Sequence, residues 1–357
     1  MEKKKLAIVG FGGQGAWHAG WAAKSDCITL AGIYDIKKER CDFARESGIR
    51  VYASLDELLG DTEVDIVLCA TPNESHKDIS IAALRAGKHV VCEKPVTLSV
   101  ADFDAIVEVA KEENRHFSVH QNRRWDVDYL ALKGIIDSGE IGEVINIESR
   151  SHGSRGCPPD WRLHKPSGGM MYDWGVHLID QMMLLIPEKL VNVYCEMTNI
   201  TTSEVDDGFH LKLTYESGKR ATVEVGTYNF INLPRMYMQC RGGTAYIEEW
   251  RSNTRVAKLK TWQEKDVVPV QTAAGITRTM APRDDVSVDF YEIPRLTADV
   301  HNFYRNFIDV IDNGAEPFVK NCEVRRVLLV MEAAFKSFEI GQAIKVKTNR
   351  SRDSGLL

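Results

Sequence analysis

No CxxC pair occurs among the eight cysteines, which are scattered at positions 27, 41, 69, 92, 157, 195, 240 and 322. The scatter excludes a paired disulfide framework and leaves reduced thiols, with Cys69 and Cys92 read as packing residues inside apolar runs. No stretch approaches the roughly 18 apolar residues of a membrane span. The basic opening Met1-Glu2-Lys3-Lys4-Lys5 leads into an apolar stretch, 6–9, too short for a signal peptide. A cytoplasmic protein is expected. An excess of positive charge is also missing: the formal net charge is −6, so neither nucleic acid nor an anionic membrane is an expected partner. Internal repeats and low-complexity tracts are absent.

What is present is ordinary globular material, 44% hydrophobic and 27% charged, in a 357-residue chain longer than one core usually serves. Two domains are therefore expected. The first third alternates short apolar runs, at 6–9, 28–34, 66–70, 89–92 and 117–120, with amphipathic stretches. That is the pattern of βα units around a parallel sheet buried on both faces. A helix over 99–114 takes Ser99 as its N-cap and sets Val100, Phe103, Ile106, Val107 and Ala110 on one face. After about residue 122 the rhythm changes. A helix over 128–138, closed by Gly139, precedes alternating segments at 144–149, 191–197, 210–215, 220–225, 236–240, 245–250 and 256–262, which predict a largely antiparallel open sheet. Two helices finish the chain, one over 297–313 capped by Thr297 and Gly314, the other over 323–340 ending near Gly341. The segment 263–295 reads as a long loop or arm.

Gly10-Phe11-Gly12-Gly13-Gln14-Gly15 follows the first strand and opens a helix. In that context the first glycine permits a tight turn, the second lets backbone approach a pyrophosphate, and the third lets helix and strand pack closely. Asp35 ends the second strand, where a carboxylate accepts hydrogen bonds from ribose hydroxyls and repels a 2′-phosphate. NAD is thus favoured over NADP, although Lys37 and Lys38 soften the repulsion. A second cofactor-facing turn is expected where Ala70, Thr71, Pro72, Asn73 and His76 leave the third strand, with His76 either a helix-capping residue or a cofactor contact. Glu93 and Asn122 occupy the same sheet edge.

Lys94 follows the fourth strand at that edge, placed to bind a reacting oxygen; the plain alternative is a solvent-facing lysine in a turn. Asp173 and His177, introduced by Gly168-Gly169, are four residues apart and share one face of a helix, a pairing in which a carboxylate orients and tunes an imidazole. A metal is the rival reading, with His152, Cys157 and His164 upstream, but no tight ligand cluster accompanies them and none is expected. Arg123 and Arg124 after the fifth strand, and Trp161-Arg162 before the glycine pair, suit a sugar ring, whose apolar face stacks while its hydroxyls take hydrogen bonds. Core tryptophan plus surface arginine is the alternative.

Four motifs occur in order: GFGGQG with Asp35, ATPNESH, CEKP, and GGMMYDWGVHLID. Together they resemble the glucose–fructose oxidoreductase, inositol dehydrogenase and rhizopine catabolism (Gfo/Idh/MocA) family over nearly the whole chain. The resemblance implies an α/β fold: an N-terminal Rossmann dinucleotide-binding domain over 1–122, then a C-terminal α+β domain over 123–357 with a large, mostly antiparallel open sheet. The final helix is expected to pack back on the first domain, and the sheet to make a homo-oligomer. It also implies that Lys94, Asp173 and His177 match the family's catalytic lysine, aspartate and histidine. The expected reaction is NAD-dependent hydride transfer at a hydroxyl or keto carbon of a sugar, glycoside or cyclic polyol, with a glycoside 3-dehydrogenase the favoured member. A glycosidase using transient oxidation and a non-catalytic dinucleotide-binding regulator are the alternatives.

Overall fold

The computed structural model describes residues 3–261 and 267–346. Its first half alternates β1 (Lys4–Val9), α1 (Gly13–Ala22), β2 (Ile28–Tyr34), α2 (Lys38–Glu46), α3 (Leu55–Gly60), β3 (Ile66–Cys69), α4 (His76–Arg85), β4 (His89–Cys92), α5 (Val100–Glu112) and β5 (Phe117–Val119). The five strands form one parallel sheet in the order β2-β1-β3-β4-β5. Continuous apolar strands such as Ile66–Cys69 are buried along their whole length because helices cover both faces. Parallel strands end on one side, so the loops after β1, β2, β3, β4 and β5 share an edge. Ser99 caps α5 as expected, its Oγ accepting the Asp102 N–H at 3.1 Å, a contact worth about 1 kcal/mol.

The second half begins with α6 (Val127–Ser138), which stops at Gly139 in the left-handed region, φ +67°. There follow β6 (Val144–His152), α7 (Val176–Leu185), β7 (Leu190–Thr198), β8 (Gly208–Tyr215), β9 (Arg220–Gly226), β10 (Met236–Cys240), β11 (Gly243–Ile247) and β12 (Thr254–Leu259). The chain then runs through β13 (Val270–Thr272), β14 (Gly275–Thr277), β15 (Val288–Ile293), α8 (Asn302–Asn313), α9 (Asn321–Ile340) and β16 (Ile344–Lys345). A nine-stranded sheet takes the order β15-β12-β11-β10-β6-β9-β8-β7-β16, antiparallel except for the β6–β9 pair.

Three expectations change. The stretch expected to be a loop contains a hairpin, β13–β14, and the edge strand β15. β15 is partly exposed on both faces, so it carries no inside–outside alternation to read. The helix expected from Thr297 starts at Asn302 instead, because the Asp299 carboxylate accepts the His301 N–H at 2.9 Å and holds the preceding turn. The strand expected to reach Trp262 stops at Leu259, and Trp262 lies outside the described residues.

α9 packs between the halves. Arg325 pairs with Asp104 of α5 at 2.8 Å, Glu332 accepts the Val100 N–H at 2.8 Å, and Ser337 accepts the Cys195 N–H of β7 at 3.0 Å. Among the described residues no helix is long and apolar enough to cross a membrane.

Candidate active site

Gly10 adopts φ +93°, and a Cβ there would stand 2.6 Å from the Ala70 carbonyl oxygen, so only glycine fits between β1 and β3. A Cβ on Gly15 would collide with the Gly10 carbonyl, so this glycine lets helix meet strand. Gly12 precedes α1 without a side-chain cap, which leaves the first N–H groups of the helix open to an anion. Above Gly13 nothing lies within 4 Å of where a Cβ would stand. Phe11 is buried, while Gly13 and Gln14 are exposed on the open side of the turn.

Asp35, 7% exposed, accepts the Phe11 N–H at 2.6 Å on one oxygen and the Lys37 N–H at 2.8 Å on the other. It thereby ties the end of β2 to the glycine turn. Arg40 pairs with the same carboxylate at 3.2 Å. His76, expected as a cap or a cofactor contact, is neither. It is fully buried, with Nε2 2.9 Å from the Thr71 carbonyl and Nδ1 3.1 and 3.2 Å from those of Pro95 and Val96, and it clamps the loop after β3 to the loop after β4.

The edge of the sheet carries buried polar atoms without protein partners. The Asn73 amide nitrogen after β3, both amide atoms of Gln121 and the Asn122 amide oxygen after β5 are of this kind. Burying such groups unpaired costs about 1–3 kcal/mol each. With the open helix terminus and Asp35, this donor and acceptor set fits a dinucleotide laid along the edge. Gln121 belongs to the run 121–125 after β5 that flanks the pocket in the sequence reading, and its buried, unpartnered amide marks it as a further candidate on this edge.

Lys94 reaches across to the second half. Its ammonium donates to the Asp173 carbonyl at 3.0 Å and to the Asp173 carboxylate at 3.1 Å. The other carboxylate oxygen takes the Arg162 Nε–H at 2.7 Å. Although burial alone would raise the Asp173 pKa, Lys94 and Arg162 hold it below the ordinary carboxylate value.

The glycine pair explains how this segment is seated. A Cβ on Gly168 would collide with the backbone at His164, and one on Gly169, at φ +105°, would collide with the Asp206 carboxylate. Asp206 accepts the Met171 N–H at 2.8 Å, and burial pushes its own pKa up to about 7.

Asp173 lies on a widened π-type turn, Met171–Gly175, that runs into α7. No hydrogen bond joins it to His177, so the expected pairing of carboxylate and imidazole is replaced by a lysine–aspartate–arginine bridge. His177 is 4% exposed and its Nδ1 has no partner among the described residues. Burial first, and then the positive charges of Lys94 and Arg123, hold its pKa well below the ordinary imidazole value. The imidazole is neutral at pH 7.

Arg123 stacks on Trp174 at 4.2 Å and pairs with Asp126 at 3.0 Å. Arg162 lies over the ring of Trp161 at 4.6 Å, and Trp161 is 43% exposed. Arg124, expected to bind substrate, is instead buried on a two-pronged pair with Asp180 (2.8 and 2.7 Å) and on Glu323 (2.7 Å). Its guanidinium fork fits carboxylates of α7 and α9, a long-range arrangement that neighbouring sequence does not reveal. The residues of the rival metal set are dispersed. His152 pairs with Glu224, His164 is exposed beside Glu204, and Cys157 is buried.

Comparison with known proteins gives the family. Residues 4–121 match the model of an oxidoreductase family with an NAD-binding Rossmann fold, and residues 129–246 match the GFO/IDH/MocA C-terminal domain. An NAD-binding protein from Listeria innocua has a similar structure, with a TM-score of 0.93 at 42% identity over 97% of this chain and 100% of its own. An inositol 2-dehydrogenase of Salmonella typhimurium is 31% identical over 88% of this chain and 87% of its own. An NADP(+)-dependent scyllo-inositol 2-dehydrogenase of Bacillus subtilis is 28% identical over 93% of each. The chain belongs to the Gfo/Idh/MocA family of NAD-binding oxidoreductases.

Proposed function

We propose that the chain moves hydride at a secondary hydroxyl or keto carbon of a sugar, glycoside or cyclic polyol, with Lys94, Asp173 and His177 as its acid–base set. The observation that carries the reading is an ammonium, Lys94, held on Asp173 at 3.1 Å beside a buried imidazole, His177, that has an unpartnered nitrogen. Bound NAD supplies the hydride acceptor. His177, kept neutral, accepts the hydroxyl proton on Nδ1 as the C–H bond breaks. The Lys94 ammonium donates to the substrate oxygen and stabilises the negative charge that develops there. Asp173 fixes Lys94, and Arg162 fixes Asp173. In the reverse direction His177, once protonated, returns the proton to the alkoxide.

Trp161 and the Arg123–Trp174 stack offer aromatic faces and guanidinium donors to a ring with hydroxyls. Inositol dehydrogenases among the relatives support a cyclic polyol or pyranoside. The proposal includes a cofactor-binding domain over 1–122, a substrate domain over 123–357, a cytoplasmic location and a homo-oligomer built on the nine-stranded sheet. In support of the last, Phe290 on edge strand β15 is 70% exposed. Incubation with NAD and a panel of inositols, hexoses, glycosides and sugar acids tests the function: NADH and a keto product from one of them are expected, and none from any contradicts it.

A further inference from the structure

Directly behind Lys94 lies a carboxylate that the proposed chemistry does not use. Glu93, 5% exposed, accepts His18 Nε2–H at 2.7 Å and His120 Nδ1–H at 2.9 Å on one oxygen, and the Lys94 N–H at 3.1 Å on the other. His18 in turn takes the Tyr304 hydroxyl on Nδ1 at 2.7 Å. The trio of His18, Glu93 and His120 resembles a metal-ligand set. Its N···O separations are nevertheless hydrogen-bond lengths, shorter than the roughly 3.3 Å between two ligands of a tetrahedral ion.

The charge on Glu93 is what matters. Burial would raise its pKa, yet His120 and His18 hold it well below the ordinary value, so the group is an anion. Burial first, then His120, push His18 down to about 4, so His18 donates as a neutral imidazole and does not cancel that charge. A buried carboxylate, hydrogen-bonded to two imidazoles, is therefore built into the sheet edge next to the lysine proposed to hold the reacting oxygen.

Hydride transfer requires the nicotinamide ring against the carbon held by Lys94 and His177, which brings it beside Glu93. The oxidised ring carries a positive charge and the reduced ring carries none. We infer that Glu93 is an electrostatic positioning residue that favours binding of the oxidised over the reduced nicotinamide and so biases the site toward substrate oxidation. This rests on the dinucleotide site described above, and its test separates the two.

Calorimetric titration of the full chain with NAD+ and with NADH gives the ratio of the two Kd values. Glu93→Gln keeps the size and one acceptor oxygen but removes the charge, and should weaken NAD+ relative to NADH by about tenfold, the order expected for unit charges several ångströms apart in a partly screened site. Glu93→Ser, which removes the same charge with a smaller side chain, should move the ratio in the same direction, and it carries the test if Glu93→Gln does not fold. Normal binding with a ratio unmoved in the variants that fold overturns the inference alone. Wild-type protein that binds neither form overturns the dinucleotide site and the inference with it.

Discussion

Asp173 bridges two cations: its carboxylate accepts the Lys94 ammonium at 3.1 Å on one oxygen and the Arg162 guanidinium at 2.7 Å on the other. Asp173→Asn weakens both attachments and should lower kcat by about 100-fold, with Lys94 no longer fixed. Arg162→Met leaves Lys94 on Asp173 and should cost about tenfold in kcat/KM. Steady-state kinetics with calorimetric NAD binding distinguish this from a cofactor defect, since the affinity for NAD should stay within about threefold of wild type.

The pH dependence follows from His177. The proposed base works only when unprotonated, and burial together with Lys94 holds its pKa well below the ordinary 6.5. Oxidation should therefore persist below pH 6.5 and fail only in more acid solution. In Lys94→Met the nearby cation is gone, so the acid limb of the residual kcat/KM should shift to higher pH. An acid limb that stays in place would count against His177 as the titrating base.

Asp206 gives a stability effect of opposite sign to that of an ordinary carboxylate. Burial raises its folded-state pKa from 3.8 to about 7, so the folded protein binds a proton more tightly than the unfolded chain. Its contribution is fully present below pH 3.8 and is lost as pH rises to about 7. Asp206→Asn, which keeps an acceptor for the Met171 N–H, should raise stability at pH 8 by about 1–3 kcal/mol and change it little near pH 4. Urea melts at the two pH values read this difference.

Arg124 should behave as a structural residue. Arg124→Met leaves the buried carboxylate of Asp180, and Glu323 beside it, without their partner, which costs about 3–5 kcal/mol. Chemical denaturation should show that loss, while KM for the substrate of the residual folded protein should remain near wild type. A normal melt with a large KM defect would restore Arg124 to the substrate site.

What the sequence disclosed follows the range of the forces involved. Buried parallel strands announce themselves as unbroken apolar runs, and helix ends carry local signals: Ser99 before α5, and Gly139, Gly314 and Gly341 at left-handed stops. The dinucleotide turn is equally local, since Gly10 and Gly15 answer steric demands within one βα unit. β15 was illegible because it is an edge with no buried face. The pairing of Asp173 with Lys94 and Arg162 rather than His177, and the linkage of His18, Glu93, His120 and Tyr304, join positions as much as 286 residues apart. Local spacing cannot encode such contacts: Lys94, Arg162, Asp173 and His177 stood out by residue type and motif, whereas His18, His120 and Tyr304 did not.

His177 is the proposed base of a sugar or polyol dehydrogenase. The most direct test compares wild type with His177→Asn, following NADH and keto product together across the sugar and polyol panel. Wild type should form NADH and keto product one-for-one, and the variant should lose about 10² to 10⁴ in kcat with NAD binding intact. Equal turnover by the variant, or sugar released from a glycoside by wild type without net NADH, would contradict it.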